Sequence, residues 1–306
     1  MAMFPPVSLP TNTPLEPLNL PWLKHAGIEV AILRLDLIDP LISGNKWFKL
    51  IHHLQDAREA GAEGIISLGG AHSNHLHALA AAGKRFGFPT AGLLRGHAQE
   101  TPTVLDLQAF GMQLHWLGYA GYRARHDADF WLPWQARYPT FHPIPEGGGG
   151  LAGALGCAQM LGSVGQSGDY HGWWLAAGTG TTLAGLVLAE AGRYPVYGAM
   201  AVPDDHGVEQ NIAAILQQAH APDSGYRLIN ASRGGFAKTD QHLLDFIARN
   251  EAESGVPLEP LYTGKALLAL HDQVAAGVFA QGTRLIFVHT GGLQGRRARL
   301  NPLSMA

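Results

Sequence analysis

A lysine stands where a helix gains nothing from one. In Ser43-Gly44-Asn45-Lys46-Trp47-Phe48-Lys49-Leu50 a largely apolar helix opens directly after Gly-Asn. Asn45 or Ser43 is a natural N-cap, and Gly44 permits the tight turn into the helix. Capping leaves Lys46 unexplained, because the positive end of the helix dipole makes a cation there mildly unfavourable. The same dipole, with burial, favours the neutral amine, the form that adds to a carbonyl. Three glycine-rich turns follow strand-like apolar runs, the place where open parallel sheets bind ligands. The first, Gly69-Gly70-Ala71-His72-Ser73-Asn74-His75, offers a hydroxyl, an amide and free helix N-terminal N–H groups. The second, Gly178-Thr179-Gly180-Thr181-Thr182, can form a nest of N–H groups and threonine hydroxyls for a phosphate. The third, His289-Thr290-Gly291-Gly292, brings another hydroxyl and two glycines to the same rim.

A reactive lysine and a phosphate nest are the two anchors of pyridoxal phosphate, which is held covalently at one end and electrostatically at the other. Other guests fit the residues less well. The second turn lacks the GK[ST] of a Walker A loop, and its GxGxxxG spacing matches a dinucleotide fingerprint only loosely. A nicotinamide oxidoreductase built on Gly178-Thr179-Gly180 is therefore the weaker reading. The 16 histidines invite a metal, but no HExxH is present and the single cysteine, Cys157, excludes thiolate clusters.

These turns need a scaffold to bring them together. Strand-like runs at 30–35, 64–68, 90–94, 113–117, 173–177, 196–202, 226–230 and 285–289 alternate with helical patterns at 46–60, 74–86, 104–110, 182–191, 208–219 and 240–254. That alternation predicts an α/β protein of parallel sheets covered by helices on both faces. The apolar character of the strands agrees with burial on both sides. The chain reads as a large domain, residues 1–47 plus 160–306, with a smaller mobile domain, 48–159, inserted in it. With 306 residues, 46% of them hydrophobic, there is ample material for two cores. A net charge of −3 gives no electrostatic grip on nucleic acid. No run of about 18 apolar residues suggests a membrane span, no signal peptide is legible, and one thiol suits a reducing cytoplasm.

The motifs SGNKWFKL, SLGGAHSNHLHALAAAGKRFGFP, GTGTTLAGL, PLYTGKA and FVHTGGLQG occur in this order along most of the chain. Together they resemble the 1-aminocyclopropane-1-carboxylate deaminase / D-cysteine desulfhydrase family, pyridoxal-phosphate enzymes of the tryptophan-synthase-β fold, fold type II. The resemblance implies a two-domain open twisted sheet architecture and a homodimer. It implies that Lys46 carries the cofactor and acts as base at the substrate α-carbon. Asn74 would bond the cofactor phenolate. Ser73, with neighbouring N–H groups and His75, would take the substrate carboxylate. Gly178, Thr179, Gly180, Thr181 and Thr182 would hold the phosphate, Tyr262 would lie near cofactor and substrate, and Thr263 or Thr290 would face the pyridine nitrogen.

In the cyclopropane deaminases the residue after this tyrosine is a glutamate, which keeps the pyridine nitrogen protonated. Thr263 in its place makes a weaker electron sink, sufficient for loss of a β-leaving group but less suited to opening a cyclopropane. The expectation is β-elimination on a small amino acid such as D-cysteine. A cyclopropane deaminase, an amino-acid racemase and a cofactor-binding protein without turnover are the alternatives. Two departures bear on the substrate pocket. Phe236 is the aromatic nearest the place of a second tyrosine, and Gly149-Gly150 replace the family's Ser-Asn after Pro-Glu-Gly-Gly.

Overall fold

The computed structural model describes residues 13–164, 170–235 and 237–298. Among these residues ten strands form two sheets: β1 (Leu15–Pro17), β2 (Glu29–Arg34), β3 (Gly64–Gly69), β4 (Thr90–Leu94), β5 (Gln113–Trp116), β6 (Phe141–Pro143), β7 (Trp173–Ala177), β8 (Val196–Met200), β9 (Tyr226–Asn230) and β10 (Arg284–His289). The larger sheet has the order β1-β2-β10-β7-β8-β9 and the smaller β5-β4-β3-β6. Every pairing is parallel except β1 with β2. All eight predicted strands are present. The two not predicted, β1 and β6, are three-residue edge strands carrying a proline, where no ladder N–H is required.

Neighbouring residues on a strand enter different cores, which is why these strands read as continuous apolar runs. Leu33, Leu175, Ile286 and Val288 pack on one face of the larger sheet. Ile32, Trp174 and Phe287 pack on the other. In the smaller sheet Ile65 and Leu94 lie on one side. Ile66, Leu68 and Leu93 lie on the opposite side. Each such side chain contributes about 1.5–3 kcal/mol on burial.

The order of the larger sheet positions the site. The last strand, β10, lies between β2 and β7, so the carboxyl ends of β10 and β7 adjoin. This crevice receives Gly44 and the helix Asn45–Glu59 that it opens. Gly44 adopts φ +71°, and a Cβ on it would lie 2.0 Å from the Thr290 carbonyl oxygen, so only glycine fits. Capping differs from expectation here. Gly44, not Asn45 or Ser43, is the N-cap residue, and no side chain caps the helix. The Asn45 amide is used elsewhere, as described below.

Among the described residues six helices were not anticipated; four are six residues or shorter, and the two longer ones are Gly150–Ala158 and Thr263–Ala275. The first, GLAGALGCA, has poor intrinsic helix propensity. Its glycines are needed for contact. A Cβ on Gly156 would lie 1.9 Å from the Phe48 carbonyl oxygen, and one on Gly185 would lie 2.3 Å from that of Ala154. This helix therefore wedges the Lys46 helix against the helix Thr181–Glu190 that follows the glycine-rich turn. Among the described residues no helix is long and apolar enough to cross a membrane.

Candidate active site

Lys46 lies in the first turn of its helix, half-buried, with Nζ donating to Asn45 Oδ1 at 2.9 Å. Asn45 is a three-way tie. Its main-chain N–H donates to the Thr290 carbonyl at 3.2 Å. Its Nδ2 donates to Thr182 Oγ1 at 2.9 Å, and its Oδ1 receives the lysine. The amine is thus fixed relative to the ends of both β10 and β7. Enclosure by protein, with the Lys49 ammonium nearby, pushes Lys46 well below the usual lysine range.

The second lysine of SGNKWFKL was not singled out in the sequence. Lys49 is 4% exposed. Its Nζ donates to the Gly147 carbonyl at 3.2 Å and to Thr179 Oγ1 at 3.4 Å. Burial lowers its pKa too. The legible signal was the i, i+3 spacing, which puts Lys46 and Lys49 on one face of the helix. The turn Lys49 meets is built for close approach. Gly180 takes φ +77° as N-cap of Thr181–Glu190, and Thr179 Oγ1 and Thr181 Oγ1 lie 3.0 Å apart. Gly178 has the Tyr262 ring against it, 3.0 Å from where a Cβ would stand.

On the smaller sheet, β3 delivers the Gly69-Gly70 turn. Ser73 is the N-cap of the helix Asn74–Phe86, its Oγ accepting from Leu76 N at 3.2 Å. The main-chain N–H groups of Asn74 and His75 occupy the first two helical positions, where no intrahelical acceptor exists. The His75 ring points inward. Ser67 Oγ donates its one proton to the Ile144 carbonyl at 2.8 Å, so it accepts from His75 Nε2, also at 2.8 Å. Nδ1 is then a bare acceptor, buried and without a hydrogen-bond partner. Burial, with Lys46 and Lys49 nearby, holds His75 well below the usual histidine range. A neutral ring in this tautomer cannot donate to a carboxylate through Nδ1; the backbone N–H of His75 can.

Tyr262 and Thr263 mark the start of Thr263–Ala275. Thr263 is fully buried, and its Oγ1 accepts from Glu259 N at 2.9 Å. Glu259 was not anticipated. Its carboxylate, 2% exposed, accepts from the main-chain N–H groups of Leu261 (2.8 Å), Tyr262 (2.6 Å) and Thr263 (2.7 Å). Burial nevertheless raises its pKa. Its sequence signal was an acid four residues before a helix start, in EPLYT, which is visible only once that helix is recognised. Burial, and then the Glu259 and Glu146 carboxylates, raise the Tyr262 phenol. Thr290 contributes its main-chain carbonyl to Asn45. Gly149 contributes its carbonyl to His53 Nε2 at 3.0 Å. Phe236 lies outside the described residues.

The predicted residues thus fall into one crevice, with amines and a glycine-rich turn at one end and amides and a buried carboxylate at the other. The Lys46 amine, held at the helix start, and the Lys49 amine, which reaches the hydroxyl of the glycine-threonine turn, fit a ligand carrying an aldehyde and a phosphate. Fold and site together define a pyridoxal-phosphate-dependent enzyme of fold type II. The profile of the family described as "Pyridoxal-phosphate dependent enzyme" matches residues 8–291. The chain belongs to that family, in its 1-aminocyclopropane-1-carboxylate deaminase / D-cysteine desulfhydrase branch. It is 30% identical to a Pyrococcus horikoshii protein provisionally named a 1-aminocyclopropane-1-carboxylate deaminase, over 96% of this chain and 94% of the relative. It is 27% identical to the mitochondrial bifunctional D-cysteine desulfhydrase/1-aminocyclopropane-1-carboxylate deaminase of Arabidopsis thaliana, over 92% and 77%. The crystal structure of an ACC deaminase homologue superposes with a TM-score of 0.83 at 28% identity, over 96% of this chain and 94% of that one.

Proposed function

We propose that the protein is a lyase that converts a small D-cysteine-like amino acid to a 2-oxo acid, ammonia and a thiol. The observation that carries this reading is Thr263. The position after Tyr262 bears a neutral hydroxyl, and that hydroxyl is tied to Glu259 rather than presenting a carboxylate. Bound pyridoxal phosphate supplies an electron sink for the carbanion at the substrate α-carbon. A sink supported by a neutral group favours the short-lived carbanion of β-elimination.

In this reading Lys46 Nζ holds the cofactor and, once free, removes the α-proton. Its lowered pKa, caused first by burial and then by Lys49, favours the neutral amine that such a base requires. Lys49, Gly178, Thr179, Gly180, Thr181 and Thr182 take the phosphate. Ser73 and the N–H groups of Asn74 and His75 orient the substrate carboxylate, Asn74 Nδ2 donates to the cofactor phenolate, and Tyr262 flanks the reacting atoms. Thr263, whose hydroxyl also faces Glu259, and Thr290 are the two candidates for the pyridine nitrogen; both are neutral hydroxyls, so with either one the sink is the weak kind this reading requires. The smaller unit, 48–159, closes over the substrate against 1–47 plus 160–306 and excludes water. The reading includes a cytoplasmic homodimer.

A second reading, a cyclopropane deaminase, is favoured by the name of the Pyrococcus relative. The discriminating experiment measures 2-oxo acid release from D- and L-amino acids with β-leaving groups and from 1-aminocyclopropane-1-carboxylate. The proposal expects product from D-cysteine and β-chloro-D-alanine. Comparable turnover of the cyclopropane substrate, with none from the D-amino acids, overturns it in favour of the deaminase.

A further inference from the structure

Just beyond Gly291-Gly292 the chain forms a short 3-10 segment, Leu293–Ala298. Three side chains hold this segment to different parts of the molecule. Arg296 grips the Glu251 carboxylate through both terminal nitrogens, at 2.7 and 3.1 Å. Arg297 grips Asp106, on the helix Pro102–Ala109 beside the smaller sheet. Between these anchors and the glycines, Gln294 Nε2 donates to Asn74 Oδ1 at 2.9 Å.

We infer that Gln294 is a positioning residue that sets which way the Asn74 amide faces. An amide has an acceptor end and a donor end, and a ligand oxygen can be served only by the donor. The Gln294 NH2 group can only donate, so it claims Asn74 Oδ1 and leaves Nδ2 free to turn to other acceptors. Gly292, at φ +84°, lies along the other side of the amide, and a Cβ there would stand 2.8 Å from Nδ2. The glycine leaves the donor end uncovered. The two arginine anchors hold the segment that carries Gln294 to Glu251 and Asp106. The inference rests on the proposal that Asn74 donates to the cofactor phenolate.

The test follows the visible absorbance of the lysine-linked cofactor as pH is varied. A donor to the phenolate stabilises the deprotonated chromophore and so lowers the titration midpoint. Gln294→Glu is nearly isosteric but presents only acceptors, so it should reverse the Asn74 amide and raise the midpoint by about one pH unit, a tenfold change in proton affinity. Gln294→Met, which imposes no orientation, should raise it by less. A new carboxylate could also act through space, so Gln294→Glu is repeated in an Asn74→Ala background. If the residue acts through Asn74, its shift there falls to about a third or less. An equal shift in both backgrounds, or none in the native background, overturns the inference. If Asn74→Ala alone leaves the midpoint unmoved, the assignment of Asn74 itself fails, which is a separate outcome.

Discussion

The two ends of the crevice are built on opposite principles. At the end of β7 the binding surface is main chain and small hydroxyls, with Lys49 the charged side chain that reaches it. At the start of Thr263–Ala275 the charge is a buried carboxylate, Glu259, matched by three backbone N–H groups. The first arrangement, among the described residues, leaves Lys49 partnered by neutral oxygens, and in the proposed function it takes the anion that a ligand brings. The second is already satisfied and serves the protein itself. The contrast separates groups that wait for a ligand from groups that hold the frame, although both are buried and both have shifted pKa values.

Substitutions at the two ends should therefore separate function from stability. The largest effect belongs to Lys46→Ala, which should lower turnover on the order of 10⁴-fold or more while leaving the melting temperature of the cofactor-free protein unchanged within a few degrees. Retained turnover in this variant would remove the amine from the mechanism. Glu259→Ala should do the reverse. It strands three backbone donors and removes the helix cap, at a cost of about 3 kcal/mol in urea unfolding. A neutral result would show that the carboxylate belongs with the ligand-binding groups.

His53, which holds the Gly149 carbonyl, gives the comparison a pH dependence. Burial lowers its pKa from 6.5 to about 4. The unfolded chain therefore binds more protons than the folded one between those values, so stability falls as pH drops through 6.5 and levels off below about 4. The loss from pH 7 to pH 5 is about 2 kcal/mol for this group. His53→Gln should flatten that stretch of a urea-stability profile, and an unchanged slope would assign it to other groups. Lys49→Met has the smallest effect and the sharpest sign. It should weaken pyridoxal phosphate binding about tenfold in equilibrium dialysis. It should not destabilise the cofactor-free protein, because a poorly matched buried cation is removed. Destabilisation without loss of affinity would move Lys49 to the structural group.

Where the sequence pattern was strong, the fold was legible. Strands such as Trp173–Ala177 are apolar on both faces, and helices such as Asn74–Phe86 carry a cap at one end and a glycine at the other. The failures have identifiable causes. Gly150–Ala158 was missed as a helix because its glycines serve close contact, Phe48 on one side and Gly185 on the other, at the expense of helix propensity. Asn45 looks like a cap but is drawn away by Thr182, 137 residues distant.

Much of the chemistry was settled by residue type and local spacing: an amine after Gly-Asn, hydroxyls and N–H groups after Gly-Gly, and a glycine-threonine turn suited to an anion. These depend on neighbours within a few positions, which the chain carries wherever it folds. The tertiary structure alone decided that β10 lies between β2 and β7, that Lys49 points at Thr179, that Glu259 closes the helix beside Tyr262, and that Gln294 meets Asn74. Such pairings join residues far apart in sequence. They come from the order of strands in a sheet and from the small residues that allow close approach, properties of the packed whole rather than of any one segment.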